Sequence, residues 1–538
     1  MVVIKTRLNP FPGLRPFETE EDYLFFGREG QTDELLRRLQ PTHFLALVGT
    51  SGSGKSSLVR AGLLPALYSG HMTKAGSTWR VALFRPDSDP VGKLARALNK
   101  LNVLGSDAED AAIYSAITET TLRRSALGLI EVIQQAKMPE NENLIIIVDQ
   151  FEELFRFKQN NPKEDAGDEA AAFVKLLLEA THQEQVPIYV MLIIRSEYLG
   201  DCAQFRDLPE AYNDSQYLIP RMTRDQRRAA IVGPISVSSA KIAPQLVNQL
   251  LNDVGDNVDQ LPILQHALMR TWDYWINNHE EGEQIDLGHY EAIGGMAEAL
   301  SKHADEIYDA LLGSRSQEIA EKLFKCLSEY SNGIEMRHPM RLKEVCTVAA
   351  AQEEREVTTV VEQFRGPSRS FLMPPKDVQL DANTVLDISH ESLMRTWKRL
   401  KDWVEEEVMS ARIYRRLAET AALHQQNKAG LLYEPELTID LAWREHHKPN
   451  QAWAQRYDPT FERAMQFLEE SKAAHDAEIA QKERCQQEEI ERQKRARKNL
   501  TLALIAAVAC LIVAICLGLV AFWEYQEAAK DNIRLLWS

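Results

Sequence analysis

Residues 44–58 read FLALVGTSGSGKSSL, and the chemistry of the chain begins there. Gly49, Gly54, Lys55 and Ser56 fill the pattern G-x-x-x-x-G-K-[ST]. A loop that turns its backbone N–H groups inward around a phosphate needs small side chains, and Thr50, Ser51, Gly52 and Ser53 are small. The apolar run Phe44–Val48 predicts a buried strand before the loop, and a helix beginning near Lys55 predicts an N-terminus with partial positive charge. Lys55 then reaches the β/γ-phosphates of a nucleoside triphosphate, Ser56 ligates Mg²⁺, and Ser57 belongs to the same binding turn.

Such a site needs a second acidic element to hold the metal's water shell and orient the attacking water. Asp149 follows the apolar run Leu144–Val148 and is the metal-side carboxylate. Gln150 occupies the next position, so Glu152 and Glu153 compete for the water-activating role, with Glu153 taken first. Arg195 ends a further apolar run, Ile188–Ile194, and can read a γ-phosphate through charge-assisted hydrogen bonds. His390 stands near a predicted helix start, where residue physics alone favours a structural role. Trp397 and Trp403 read as core.

The elements that must position these groups follow from the apolar pattern. Runs at Phe44–Val48, Trp79–Arg85, Leu144–Val148 and Ile188–Ile194 predict buried parallel strands, with a fifth at Tyr217–Ile219. Asp89-Pro90 starts a helix as N-cap and first residue. Strands alternating with helices, with polar residues at the strand ends, predict a doubly wound α/β domain that binds its ligand at that edge. From about Thr223 the pattern turns helical. Residues 311–403 read as a winged helix, with a hairpin of Ser370–Met373 against Thr384–Ile388 and a helix from Glu391 to Trp403. Beyond them the chain is charged and helical to Lys498.

The balance of 62 basic against 79 acidic residues gives a net charge of −17, which argues against general nucleic-acid binding. Six cysteines without a CxxC pair read as idle or buried thiols in a reducing compartment. The first residues carry no apolar stretch of a secretory signal. From Asn499 to Trp523 no residue is charged, and a bilayer core needs about 20 apolar residues, so this run predicts a transmembrane helix. Arg492, Lys494, Arg495, Arg497 and Lys498 precede it, which places the bulk of the chain in the cytoplasm, at a bacterial inner membrane. Small residues (Ala503, Ala507, Cys510, Ala514, Gly518, Ala521) fall on one face of that helix.

The segments NPFPGLRPF, FFGREGQ, LVGTSGSGKSSLVRAGLLPAL, WRVALFRPDSDP, IIIVDQFEELF, IIRSEYLG, LPILQHAL and HESLMRTW, in that order, resemble the novel STAND NTPases of bacteria, relatives of NACHT and apoptotic ATPases. The resemblance covers about residues 9–403. It implies an α/β P-loop NTPase core, a parallel sheet of ASCE type, followed by helical and winged-helix domains that close over ATP or ADP. Gly27 and Arg28 match the lead-in segment beside the adenine. Pro262 is similar to the proline of a GLPL element, with Gln260 in place of its glycine. His390 is similar to the winged-helix histidine on the β-phosphate of ADP. The expected organisation is a lead-in at 1–43, the core at 44–222, a helical domain at 223–310, the winged helix at 311–403, a helical stalk or repeat region at 404–498, the membrane helix at 499–523 and a tail at 524–538. The resemblance implies a switch that oligomerises with itself on ATP exchange and answers to a protein trigger or sensor, in bacterial defence; the predicted transmembrane helix makes it a membrane-anchored one. A steady-turnover ATPase and a membrane-tethered winged-helix regulator are the alternatives.

Overall fold

Continuous apolar runs make strands that need cover on both faces, and the chain supplies it. In the computed structural model, β1 (Phe44–Gly49), β2 (Trp79–Phe84), β3 (Asn143–Val148), β4 (Ile188–Arg195) and β5 (Gln216–Leu218) form one parallel sheet ordered β2-β3-β4-β1-β5. Residues 8–535 are described, apart from 88, 106–110, 140, 156–164, 184–185, 256–259, 332–333 and 367. The extreme N-terminus, read above as free of a secretory signal, lies outside them, as do the last three residues of the tail. The chain divides into two compact units, Met1–Glu407 and Val408–Ser538.

In the first unit, successive strand residues serve opposite layers. Leu45, Leu47, Ile145, Ile147, Met191 and Ile193 pack with Leu35 and Leu39 of α1 (Glu29–Thr42) and with the helix after the phosphate loop. That helix, α2, starts as Lys55–Ser57, passes through a π-helical turn at Leu58–Leu63 and continues as Leu64–Tyr68. Ala46, Val48, Ile146, Val148, Val190 and Leu192 face α3 (Pro90–Leu98), α4 (Ala111–Arg124), α5 (Gly128–Gln135) and α6 (Asp165–Thr181). Burying one such Leu, Ile or Val side chain contributes about 1.5–3 kcal/mol, so the sheet is the stable platform for what its edge carries. The Asp89 carboxylate accepts from the Gly92 N–H, and Pro90 opens α3, as the sequence predicts.

The helical domain follows as α7 (Arg224–Val237), α8 (Pro244–Val254), α9 (Leu261–Asn278), α10 (Leu287–Ala292) and α11 (Gly295–Asp309), around a core that includes Trp272 and Trp275. Next come α12 (Gly313–Cys326), β6 (Ser328–Ser331), β7 (Ile334–Arg337), β8 (Met340–Arg341), α13 (Leu342–Val348), α14 (Glu354–Phe364), β9 (Leu372–Met373) and β10 (Val385–Ile388). Strand β10 pairs antiparallel with both β8 and β9, giving the three-stranded sheet of a winged helix.

The helix expected from Glu391 to Trp403 is two helices. α15 (Glu391–Thr396) stops at Trp397, which is extended at ψ 106°, and α16 (Lys398–Gln425) restarts at once. The turn lets the Trp397 indole N–H donate to Asp305 at 2.9 Å while its ring packs on Phe324 and Trp403, centroids 5.0 and 5.3 Å away. Burial of that ring outweighs helical continuity.

In the second unit the end of α16, α17 (Glu436–His447), α18 (Gln451–Ala454) and the start of α19 (Phe461–Leu535) bury Tyr414, Trp443, Trp453 and Leu468. The Trp443 indole donates to Ser410 at 2.6 Å, and Asp440, fully buried, pairs with Arg416. The region read as a stalk thus begins as a small helical bundle. From Gln481 to Ala529 every side chain of α19 is exposed, and α19 is long and apolar enough to cross a membrane by length and composition.

Candidate nucleotide site

Parallel strands bring their C-terminal ends to one edge. Gly49 pairs with Arg195 in register, and Val148 with Phe84 and Leu192. The next residues, Thr50, Arg85 and Asp149, are therefore delivered to the same place as Arg195. A cavity opens there, lined by Ser51–Ser57, Arg85, Asp149, Glu152 and Arg195 from the core. Pro262 and Gln265 of α9, Arg337, His390 and Glu391 of the winged helix, and Pro12–Phe17 of the lead-in complete its wall.

Within the loop, the Lys55 ammonium donates to the carbonyls of Gly49 and Thr50 at 2.8 and 2.7 Å. Burial lowers it to about 8 against the pull of Glu152. The Ser56 hydroxyl stands 3.1 Å from both oxygens of Asp149. Among the described residues, Thr50 Oγ1, Glu152 Oε2 and Gln265 Oε1 are buried without a hydrogen-bond partner. A hydroxyl, a carboxylate and an ammonium converging on a cradle of backbone N–H groups are the donor and acceptor set that a phosphate chain with a divalent cation fits.

Above the acidic strand end lies a polar layer between core and winged helix. Arg195 Nε contacts Glu152 at 2.9 Å, and its other end pairs with Glu391; all three side chains are largely buried. Burial opposes its charge, but Glu391 and Glu152 hold Arg195 well above the usual guanidinium value. Burial likewise opposes the Glu391 charge, while Arg195 and Arg337 hold that carboxyl below its usual range. Arg337 pairs with Asp387 at 2.5 Å and donates to Gln150 Oε1 at 3.1 Å. Arg85 faces Glu153 and Asp149, which keep it charged against burial.

The two glutamates separate here. Glu152 lines the phosphate cavity, whereas Glu153 lines another, with Arg85, Asp87, Asp387 and the winged-helix residues Pro339 and Met373. Burial pushes Glu153 up to about 7, with Arg85 opposing. The two carboxylates part because a helical turn cannot aim two successive side chains at one point.

His390 lies in the wall of the phosphate cavity. Its Nδ1 accepts from the Ser392 backbone N–H at 3.1 Å as the cap of α15, so the ring proton is assigned to Nε2. Burial, then Arg337, lowers it to about 3, and the ring is neutral near pH 7.

A second cavity adjoins the first at Ser53 and Leu261. Gly49, Thr50, Leu218, Ile219, Met222 and Val254 give it apolar and backbone walls. Arg28 lines it but is committed: its guanidinium donates to Ser53 O at 2.9 Å and to Pro220 O at 2.8 Å, and burial lowers it to about 10. It ties the phosphate loop to the segment after β5. Gly27 lines neither cavity. Its φ is +88°, and a Cβ there would lie 2.5 Å from Gln226 O, so its contribution is a turn that packs α7 closely.

The structure thus gathers Ser51–Ser57, Asp149, Glu152, Arg195, Pro262 and His390 on one cavity and Gly49, Thr50 and Arg28 on its neighbour. Sequence reasoning missed Arg85, Gln150, Arg337 and Glu391. Arg85 carried the same signal as Arg195, an arginine at the end of an apolar strand. Arg337 carried none.

A model of the family described as Novel STAND NTPase 1 matches residues 10–430. The chain belongs to this family. Its match ends a few residues past α16, so most of the second unit lies beyond it. Solved structures similar to the STAND chain include the ORC1 protein of Aeropyrum pernix in complex with DNA, 12% identical over 72% of this chain and 94% of that one, TM-score 0.37. A Walker-type ATPase of Pyrococcus abyssi is 11% identical over 71% and 98%, TM-score 0.34. RuvB of Thermotoga maritima is 11% identical over 72% and 98%, TM-score 0.30. Comparison with curated proteins gave no match.

Proposed function

We propose that this STAND NTPase is a nucleotide-driven signalling switch, closed on ADP at rest and assembling with copies of itself once ATP replaces it. The observation that carries the reading is the double engagement of Arg195, with Glu152 on one side and Glu391 of the winged helix on the other. In the closed packing, the two core groups placed to act on a γ-phosphate are occupied by the interface that holds the domains together. A nucleotide that draws Arg195 away from Glu391 weakens that interface, and it can shift the packing only by this difference in affinity.

In this scheme Lys55 and the loop N–H groups bind the phosphates, and Ser56 and Asp149 would hold a Mg²⁺ ion, which supplies charge neutralisation between phosphate oxygens. Glu152 orients the attacking water once Arg195 turns to the phosphate. The neutral His390 donates from Nε2 to the β-phosphate side, and the second cavity takes the adenine. Glu153 belongs to the interface. Hydrolysis is a slow reset. The apolar part of α19 anchors the chain in a membrane with the first unit in the cytoplasm, and the setting is bacterial defence.

Protein purified in detergent tests the reading through its nucleotide content and oligomeric state. Bound ADP in a monomer, with larger assemblies after exchange to an ATP analogue, is the expected result. Rapid ATP turnover by a monomer without bound ADP would refute the switch in favour of a steady ATPase.

A further inference from the structure

The segment Asn9–Phe17 has no part in the function argued above, yet it forms one wall of the phosphate cavity through Pro12–Phe17. It contains neither helix nor strand and spans two domains. One end stands on the helical domain. The Asn9 side-chain amide donates to Met269 O at 2.9 Å and to Asp273 Oδ1 at 2.8 Å, both on α9. Its Oδ1 accepts from the Phe11 N–H at 3.0 Å, and the Phe11 ring is buried in the helical-domain core. Gly13 has φ +72°, and a Cβ there would stand 2.7 Å from Met269 Sδ, so only glycine lets the segment lie this close.

The other end stands on the P-loop core. The Phe17 N–H donates to Ser57 Oγ at 3.2 Å, on the first turn of α2, and its ring meets Phe25 edge-on at 5.7 Å. Arg15 holds Glu21 through two bonds of 2.7 and 2.5 Å, and Glu18 accepts from Arg60 at 2.7 Å. Helix α9 also supplies Pro262 and Gln265 to the cavity, and α2 begins with Lys55 and Ser56. The segment therefore joins the two helices whose first turns face the phosphate space, and it runs across that space.

We propose that Asn9–Phe17 is a strap that retains the bound nucleotide, with the Asn9–Asp273 contact as its latch. The strap rests on the reading of the cavity as a nucleotide site and adds a means of exchange. Because its feet stand on α9 and α2, movement of the helical domain away from the core pulls Asn9 off α9 and opens the wall. With both feet in place, nucleotide leaves slowly even when the loop's own affinity is modest.

Asn9→Asp tests the latch at constant side-chain size. It removes the donor and sets a carboxylate against Asp273. The assay is release of a fluorescent ADP from the full chain in detergent, chased with excess unlabelled ADP. Losing two hydrogen bonds of about 1 kcal/mol each predicts release at least about tenfold faster. The exchanged pair, Asn9→Asp with Asp273→Asn, restores a donor opposite an acceptor at the 9–273 contact but not the bond to Met269 O, and should recover part of the retention, about half of the lost free energy. If Asn9→Asp fails to fold, Arg60→Gln releases Glu18 from α2, frees the other foot and should act in the same direction. Release at the wild-type rate from whichever single variant folds would overturn the strap, as would an exchanged pair as fast as Asn9→Asp. A wild-type chain that binds no fluorescent ADP would instead sink the nucleotide-site reading itself.

Discussion

Replacing Glu391 with Gln removes the winged-helix charge that meets Arg195 with almost no change in shape; its other contacts, to Arg337 at 4.0 Å and Arg395 at 3.6 Å, are longer and lie within the winged helix. The Glu391 side chain is 7% exposed and that of Arg195 15%, so water screens the pair little. Removing one partner of a buried ion pair costs about 3–5 kcal/mol when the other charge is stranded. Arg195 is not stranded here, because Glu152 still contacts its Nε at 2.9 Å. The loss is then nearer that of one hydrogen bond to a charged group, about 1.5–3 kcal/mol. A shift of about 2 kcal/mol multiplies the open-to-closed ratio by about 30. ADP release should accelerate by up to that factor, and a larger share of the protein should assemble in ATP without any trigger. Stopped-flow release of fluorescent ADP and sizing of the detergent-solubilised protein read the two effects. Wild-type release together with a wild-type oligomer distribution, in a variant whose melting temperature shows it is folded, would refute the idea that this pair holds the domains closed.

Four further outcomes follow from the same geometry. Lys55→Ala should lose nucleotide binding, measured by equilibrium titration, because it removes the charge that meets the β/γ-phosphates together with the two bonds to the Gly49 and Thr50 carbonyls. Glu152→Gln should bind ATP yet hydrolyse it about 10²–10⁴-fold more slowly in a steady-state assay, while Glu153→Gln keeps hydrolysis within a few fold. A carboxyl raised to about 7 from about 4.5 costs the folded state more as pH rises through that window, so Glu153→Gln should also raise the melting temperature at pH 8 more than at pH 5. His266, buried and lowered to about 3 by that burial, stays neutral in the folded chain but takes a proton near pH 6.5 when unfolded. The His266 contribution to stability is therefore fully present above pH 6.5 and is lost on acidification, by about 1.4 kcal/mol per unit, and since burial also lowers its neighbour His303, His266→Gln should flatten only part of the acid slope in denaturant titrations between pH 6.5 and 5.

The sequence by itself determined the platform and the ends of its strands. An apolar run long enough for a strand and bounded by glycine or a charged residue must be buried on both faces. Phe44–Gly49, Asn143–Val148 and Ile188–Arg195 accordingly became central strands, and Lys55, Asp149 and Arg195 came to one edge. That is local information: a period, a loop pattern, a residue type at a strand end. Tertiary structure decided what faces these groups. Gln150 meets Arg337 across 187 residues, Arg195 meets Glu391 across 196, and Asn9 meets Asp273 across 264. No periodicity encodes such pairs, because they depend on how rigid domains seat on one another. The choice between Glu152 and Glu153 was also tertiary. Neighbouring carboxylates have the same chemistry in a sequence, and only the direction of each side chain from its turn places one on the phosphate cavity and the other against Arg85. The break at Trp397 has the same origin, since a helix that reads as continuous is interrupted wherever burying one large ring gains more than one further hydrogen-bonded turn.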